Sequence, residues 1–350
     1  MVQSIRKILE KKAVEASAPC RIDSGGTWDI KAMALPLKDI RPVTVNIALN
    51  LRTNVLLSPF EDGRVKVSSD GFSGEEEAAY EALPFDTAFG LFFAAVSYFG
   101  FHGLEIRINS DSPVKSALGG SSTALVALIK ALSEIACLFG GKKLSRNEIL
   151  HLGYHIEDAV SPGKCGIQDQ AAAVYGGINQ WLWQFGNRTA PFERHPLMKG
   201  SGQKAVSRHI LVAYSGKSHV SSRINRMWLT DFLSGKTRPG WLEVNKIVGR
   251  FARAVKNEDW PGAAALLKEE MSVRRKITPD ALIPLTAELL AQAESAGCGA
   301  RFTGAGAGGS VWALGDSDPI NRLRKIWTRT LLPVRGARIL DCGVDTAGVR

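Results

Sequence analysis

The chain is poor in the residues that build covalent staples and metal clusters. Its five cysteines (Cys20, Cys137, Cys165, Cys298, Cys342) are odd in number, and none lies close to another. That spacing excludes a disulfide framework and a CxxC zinc site, and it makes a reducing cytoplasm the expected location. Histidine is scarce too, at six residues. His151 and His155 are spaced to share a helix face, but Leu152 stands where a zincin helix needs glutamate, so both read as ordinary helix residues. Long apolar runs are missing. The greasiest stretches, 84–101 and 123–139, contain Asp86, Lys130 and Glu134 and fall short of the roughly 20 residues of a membrane span. The first eighteen residues carry Arg6, Lys7, Lys11 and Lys12 without an apolar run, so neither a secretory leader nor a membrane partner is expected. Walker loops are absent as well. Gly216-Lys217-Ser218 and Gly235-Lys236-Thr237 have Leu211 and Thr230 at the position that must be glycine.

What is there is a globular composition, 45% hydrophobic and 22% charged, long enough for two domains. Lys and Arg (44) exceed Asp and Glu (34), a net charge of +10 that suits an anionic ligand. The basic run Arg322, Arg324, Lys325 and Arg329 has Trp327 as its one aromatic. It reads as a solvated helix face, and no nucleic-acid partner is expected. Alternation over 43–51, 63–69 and 104–109 predicts strands, and the apolar blocks 85–101 and 122–139 predict helices. Ser145 followed by Glu148 is a capping-box helix start. The segment 186–207 is polar, aperiodic and broken by Pro191, Pro196, Gly200 and Gly202, which places a domain boundary there, with domains 1–205 and 206–350. After it, strands are expected near 210–214, 300–303, 310–314 and 337–341. Helices are expected near 220–233, 242–256, 263–273, 279–296 and 319–331. Strands and helices mix without regular alternation, so the class is α+β.

Three constellations carry chemistry. Pro113–Ala124 follows a strand and opens a helix, where exposed N–H groups and the helix dipole favour a phosphate. Gly119 and Gly120 let main chain approach its oxygens, and Ser121 and Ser122 add hydroxyls for phosphate or magnesium. The same residues also suit a plain Ser-capped helix after a Gly turn. Gly299, Gly304, Gly306, Gly308 and Gly309 form the second group. The Gly-x-Gly-x-x-Gly string at 304–309 leads into a strand, which rules out a dinucleotide fingerprint and leaves a flexible turn between strands. The third group is Glu157, Asp158 and Asp169, carboxylates flanking a turn at Pro162, Gly163 and Gly166. Such acids can converge on a metal and a substrate hydroxyl, or serve as a first-turn helix acid and solvated charges.

Together these segments resemble the GHMP kinases. The resemblance runs from about Ala18 to about Leu314. It rests on Ala18-Pro19-Cys20-Arg21-Ile22-Asp23 continuing to Asp29, on Pro113–Ser122 against Pro-x-x-x-Gly-Leu-Gly-Ser-Ser-Ala, on Cys165–Gln170, and on Gly299–Gly309. Within the second motif Ala117, Gly120 and Ser122 depart from the pattern. The Arg21–Gly26 opening and the 274–299 tail look most like heptose 7-phosphate kinases and the kinase part of fucokinases. The resemblance implies a two-domain fold, with an N-terminal ribosomal-S5-domain-2-like nucleotide domain and a C-terminal ferredoxin-like domain. It also implies ATP and Mg2+ as cofactors and a sugar or sugar phosphate as the small-molecule partner. Asp169 would be the catalytic acid–base residue, with Arg21 as its positive partner. Pro113, Ala117, Leu118, Gly119, Gly120, Ser121 and Ser122 would wrap the ATP phosphates, supported by Gly304 and Gly306. Ser121 and Glu157 would hold the metal, with Ser122 as the substitute for Ser121. Asp29 and Gly26 would contact the sugar, and Lys217 and Arg223 a phosphate on it. A non-sugar alcohol acceptor and a catalytically silent relative are the alternatives.

Overall fold

A computed structural model describes the whole chain apart from residues 1, 27, 38, 72, 73, 162–164, 188, 189, 219 and 220 and the side chains of 221–223. Pro162, Gly163, His219 and the Arg223 side chain therefore lie outside the described residues. The N-terminal lobe is built on a seven-stranded sheet. Its strands are β1 (Val14–Asp23), β2 (Val43–Pro59), β3 (Arg64–Ser69), β4 (Glu75–Ala79), β5 (Leu104–Ser110), β6 (Ile178–Trp183) and β7 (Phe192–Pro196). β2 is 17 residues long and organises the rest. It pairs antiparallel with β1 along one edge; on the other it pairs with β6 over Val43–Ile47 and with β5 over Thr53–Pro59. Helices α1 (Gly90–Phe99), α2 (Gly120–Leu138), α3 (Arg146–Val160) and α4 (Gln168–Tyr175) belong to the same lobe.

The central helix α2 buries Leu125, Leu128, Ile129, Leu132 and Ile135 completely. Each such side chain contributes about 1.5–3 kcal/mol on leaving water. It is the one described helix long and apolar enough to cross a membrane, and 67% of its apolar window is buried inside the protein. α3 begins as the sequence predicts. Ser145 accepts from the Glu148 N–H while the Glu148 carboxylate accepts from the Ser145 N–H. The predicted helix 85–101 is shorter, running from Gly90 to Phe99; it stops at Gly100, after which Phe101 and His102 pair with Gln3 and Ser4 as a small parallel ladder.

The C-terminal lobe runs β8 (Ile210–Tyr214), α5 (Ser221–Leu233), α6 (Arg238–Lys256), α7 (Trp260–Ile277), α8 (Pro284–Ser295), β9 (Gly299–Phe302), β10 (Ser310–Leu314), α9 (Ser317–Leu331) and β11 (Arg338–Leu340). Its four strands lie in the order β9-β10-β8-β11, all antiparallel, which is the ferredoxin-like arrangement expected. Beyond it the chain returns to the first sheet. Val344 bridges Leu49, Asp345 pairs with Arg52, and Arg350 exchanges two backbone hydrogen bonds with Ser17 at 2.9 and 3.1 Å.

Candidate active site

The site begins with an irregularity in β1. Proline has no N–H to give the ladder, and the pairing with β2 shifts register between Pro19 and Cys20. After the shift, side chains alternate by two. Cys20 and Ile22 join one apolar core, while Arg21 and Asp23 share the opposite face. Arg21 is buried and donates from Nε to Asp169 Oδ1 at 2.7 Å and from Nη1 to the Ala117 carbonyl at 2.8 Å. A second acid, Asp23, lies 3.7 Å from the same guanidinium. Burial opposes the Arg21 charge, but Asp169 and Asp23 outweigh it and hold its pKa above the usual arginine value.

Asp169 stands in the first turn of α4, and its carboxyl faces the start of α2. A Cβ on Gly119 would lie 3.0 Å from the Asp169 carboxyl carbon. Gly119 has φ +83° and precedes the first residue of α2, so only glycine places this loop directly against the aspartate. Ser122 in the next turn donates to Glu157 Oε1 at 3.0 Å, and Gln170 donates to Glu157 Oε2 at 2.6 Å. Burial pushes the Glu157 carboxyl up to about 7, the Ser122 and Gln170 bonds oppose that, and the Asp169 charge adds to it. Asp29 is 1% exposed and caps α4 from beneath, accepting from the Gln168 N–H at 3.3 Å and from Gln168 Nε2 at 3.2 Å. Burial, then the Asp169 charge, pushes its carboxyl up to about 7 as well. Arg21, Asp29, Gly119, Ser122, Glu157 and Asp169 line one cavity of about 500 Å³, together with Trp228 of α5 and Gly304.

Most of the predicted residues therefore meet. Arg21, Asp29, Pro113, Ala117, Gly119, Gly120, Ser121, Ser122, Glu157, Asp169 and Gly304 all line the cavity. Three do not. Leu118 points into the same apolar core as Cys20 and Ile22, and its carbonyl accepts from the Arg21 N–H at 3.0 Å. Gly26 is a packing glycine at φ +72°, with the Val43 carbonyl 2.4 Å from where a Cβ would stand and its own carbonyl taken by Thr44. Gly306, at φ +75°, closes a turn in which its N–H bonds the Thr303 carbonyl at 3.3 Å. The hydroxyl beside Glu157 belongs to Ser122, while Ser121 is exposed at the mouth. Lys217 is exposed and lies off the cavity wall. His151 and His155 stack at 6.3 Å, and no described group of three acids, histidines or cysteines could hold a metal.

Sequence reasoning missed a buried charge chain behind the site. Arg301 of β9 forms an ion pair with Asp23 and donates to the Asp23 carbonyl at 2.7 Å. Trp312 Nε1 donates to the same carbonyl at 2.9 Å, and the Gly304 N–H donates to Asp23 Oδ1 at 2.9 Å. Behind Arg301 lies Glu270 at 3.4 Å, then Arg274, whose guanidinium sits 4.2 and 4.3 Å from the rings of Trp228 and Trp241. Burial works against the Asp23 charge, yet Arg301 and Arg21 keep its carboxyl below the ordinary aspartate value. The readable signal was the spacing of Arg21 and Asp23, two residues apart on one strand face.

Comparison with known proteins gives a consistent picture. The family model "GHMP kinases N terminal domain" matches residues 86–177, and "GHMP kinases C terminal" matches 251–332. A mevalonate kinase from Pyrococcus horikoshii is 27% identical over 76% of this chain and 80% of its own length. A D-glycero-alpha-D-manno-heptose 7-phosphate kinase from Campylobacter jejuni is 32% identical over 48% of this chain and half of its own. In structure, the Lactococcus lactis galactokinase complexed with galactose superposes with a TM-score of 0.72 at 18% identity, covering 98% of both chains.

Proposed function

Since this chain belongs to the GHMP kinase family, with its N-terminal and C-terminal domains both present, we propose that it moves the γ-phosphoryl group of ATP to a sugar hydroxyl. The acceptor we infer is the anomeric hydroxyl of a heptose, a heptose 7-phosphate or a fucose-like sugar. We set the domain boundary at residues 205 and 206. The observation that carries the reading is the ion pair of buried Arg21 with half-buried Asp169, held against the glycine start of α2. Phosphoryl transfer needs positioning and charge neutralisation more than covalent chemistry, and this arrangement supplies both.

The start of α2 fits a nucleotide's phosphates. A Cβ on Gly120 would meet nothing within 4 Å, so the loop leaves open room at a helix N-terminus. The neighbouring donors fit a hard divalent cation, since Ser122 and Glu157 offer two oxygens 3.0 Å apart. These two residues would hold magnesium, which when bound neutralises charge on the phosphate oxygens. Asp169 orients the acceptor hydroxyl and takes its proton at Oδ2, the oxygen to which Arg21 does not donate. Arg21 fixes the other oxygen and brings a positive charge to the transferring group. Asp29, beside Asp169 on the same wall, meets the acceptor's other hydroxyls.

Asp169→Asn tests the reading. ADP release should fall by a factor of about 10²–10⁴, the usual worth of a positioned acid–base group, with ATP binding nearly unchanged. Full turnover would sink it. A second reading, a non-sugar alcohol acceptor, is favoured by the mevalonate kinase relatives, whose similarity spans more of the chain than that of the heptose kinase. A panel of heptoses, heptose phosphates, fucose, mevalonate and homoserine, scored by ADP release, separates the two. Tight ligand binding without transfer to any of them would point to a silent relative.

A further inference from the structure

A second recess, of about 630 Å³, opens where the end of α4 meets the β6–β7 hairpin and the segment 196–204. It shares no lining residue with the active-site cavity. Arg146, Arg194, Lys199 and Lys204 line it, and no described carboxylate does. Among the described residues none of the four takes part in an ion pair. Arg146 donates only to the Ala347 carbonyl at 2.8 Å, and Arg194 to the Asn179 side chain at 3.2 Å. Holding cations together without a counter-charge is unfavourable, and the arrangement is stabilised when an anion enters. Tyr175 fixes one of them in place, since the Arg194 guanidinium lies 4.4 Å from its ring centre.

A separate polar group points to the rest of the ligand. The Gln203 amide nitrogen donates to the Met198 carbonyl at 2.7 Å, which leaves its oxygen as an acceptor. That oxygen is buried and has no hydrogen-bond partner. Such an atom costs about 1–3 kcal/mol until a donor reaches it. Gly177, at φ +75°, packs against this amide, and a Cβ there would stand 3.1 Å from both its nitrogen and its oxygen.

We propose that this recess is a binding site for a phosphorylated small molecule that also carries a hydroxyl. Its phosphoryl group is taken by Arg146, Arg194, Lys199 and Lys204, and its hydroxyl donates to Gln203 Oε1. The site is independent of the catalytic reading, because it stands on residues remote from the phosphate loop.

The test is calorimetric titration of the full chain, saturated with a non-hydrolysable ATP analogue, at physiological salt. The probes are inorganic phosphate, ribose 5-phosphate and a short single-stranded oligonucleotide. Ribose 5-phosphate should bind more tightly than inorganic phosphate. The double variant Arg194→Ala with Lys204→Ala should weaken its binding roughly tenfold or more, the worth of one or two charge-assisted hydrogen bonds. The charge-keeping pair Arg194→Lys with Lys204→Arg should restore most of it, and Asp169→Asn should leave it unchanged. Gln203→Met should remove the preference for ribose 5-phosphate while sparing inorganic phosphate. Binding that is absent, or that persists in the alanine pair, overturns the proposal. So does an oligonucleotide that binds more tightly than ribose 5-phosphate and loses that affinity in the alanine pair, since the surface would then serve a macromolecule.

Discussion

Two adjacent glycines, Gly119 and Gly120, do different work at the start of α2, and single methyl groups tell them apart. Alanine at 119 must adopt φ +83° and places a carbon 3.0 Å from the Asp169 carboxyl. We expect Gly119→Ala to lower kcat roughly tenfold or more, because the aspartate must move. Alanine at 120 meets open space where phosphate would sit. Gly120→Ala should raise KM for ATP with kcat and Tm little changed, and steady-state kinetics on both variants checks the split. Asp29 yields a pH prediction. Its carboxyl is held near 7 in the folded chain against about 4 unfolded, so the native state binds the extra proton between those values. Stability then falls as pH rises from about 4 to about 7, by up to ~1.4 kcal/mol per pH unit from this group, and the loss is complete above 7. Urea midpoints across pH 5 to 8 should show this slope, and Asp29→Asn should reduce it to the part contributed by Glu157, whose carboxyl burial also pushes up to about 7.

At the scale of elements, legibility in the sequence followed local chemistry. The capping box at Ser145, the alternating strands β3 and β5, and the glycine turn at 304–309 were readable because neighbours in sequence settle them. Ser145→Ala should cost about 1 kcal/mol of stability and leave turnover intact, which thermal melts and an activity assay would check. The strand β1 was harder to read. It is buried on both faces after Pro19, so the polar–apolar alternation that marks a half-buried strand is missing. β4 is nearly all glutamate and alanine, and it is a strand only because Glu75–Ala79 pair with β3. The site was legible where glycines and acids fell into motifs. Leu118 and Gly26 stand off the cavity wall; a motif marks a segment without saying which of its residues face inward. The choice between Ser121 and Ser122 likewise turned on helix phase, which the substituted Gly120 obscures.

For the molecule as a whole, the chain of charges from half-buried Asp169 through the buried Arg21, Asp23, Arg301 and Glu270 to Arg274 links the two lobes through ion pairs. No single segment of sequence contains this chain, which is why it could not be foreseen. Removing one member leaves uncompensated buried charge, so Asp23→Ala should destabilise the protein by about 3–5 kcal/mol. Urea unfolding would measure that, and intrinsic tryptophan fluorescence would follow the loss of order around Trp228, Trp241 and Trp312. Substituting Glu10, whose partner Arg6 is exposed, should by contrast leave stability almost unchanged.

The return of residues 343–350 to the first sheet has a mechanical side. The C-terminal lobe leaves that sheet after β7 and re-enters it at Val344, so it hangs from its neighbour by two anchor points instead of one. A body pinned twice swings about the line joining its pins and resists drifting or twisting away. Asp23 and Arg301 add a buried charged tie between the same two lobes, which restrains them further.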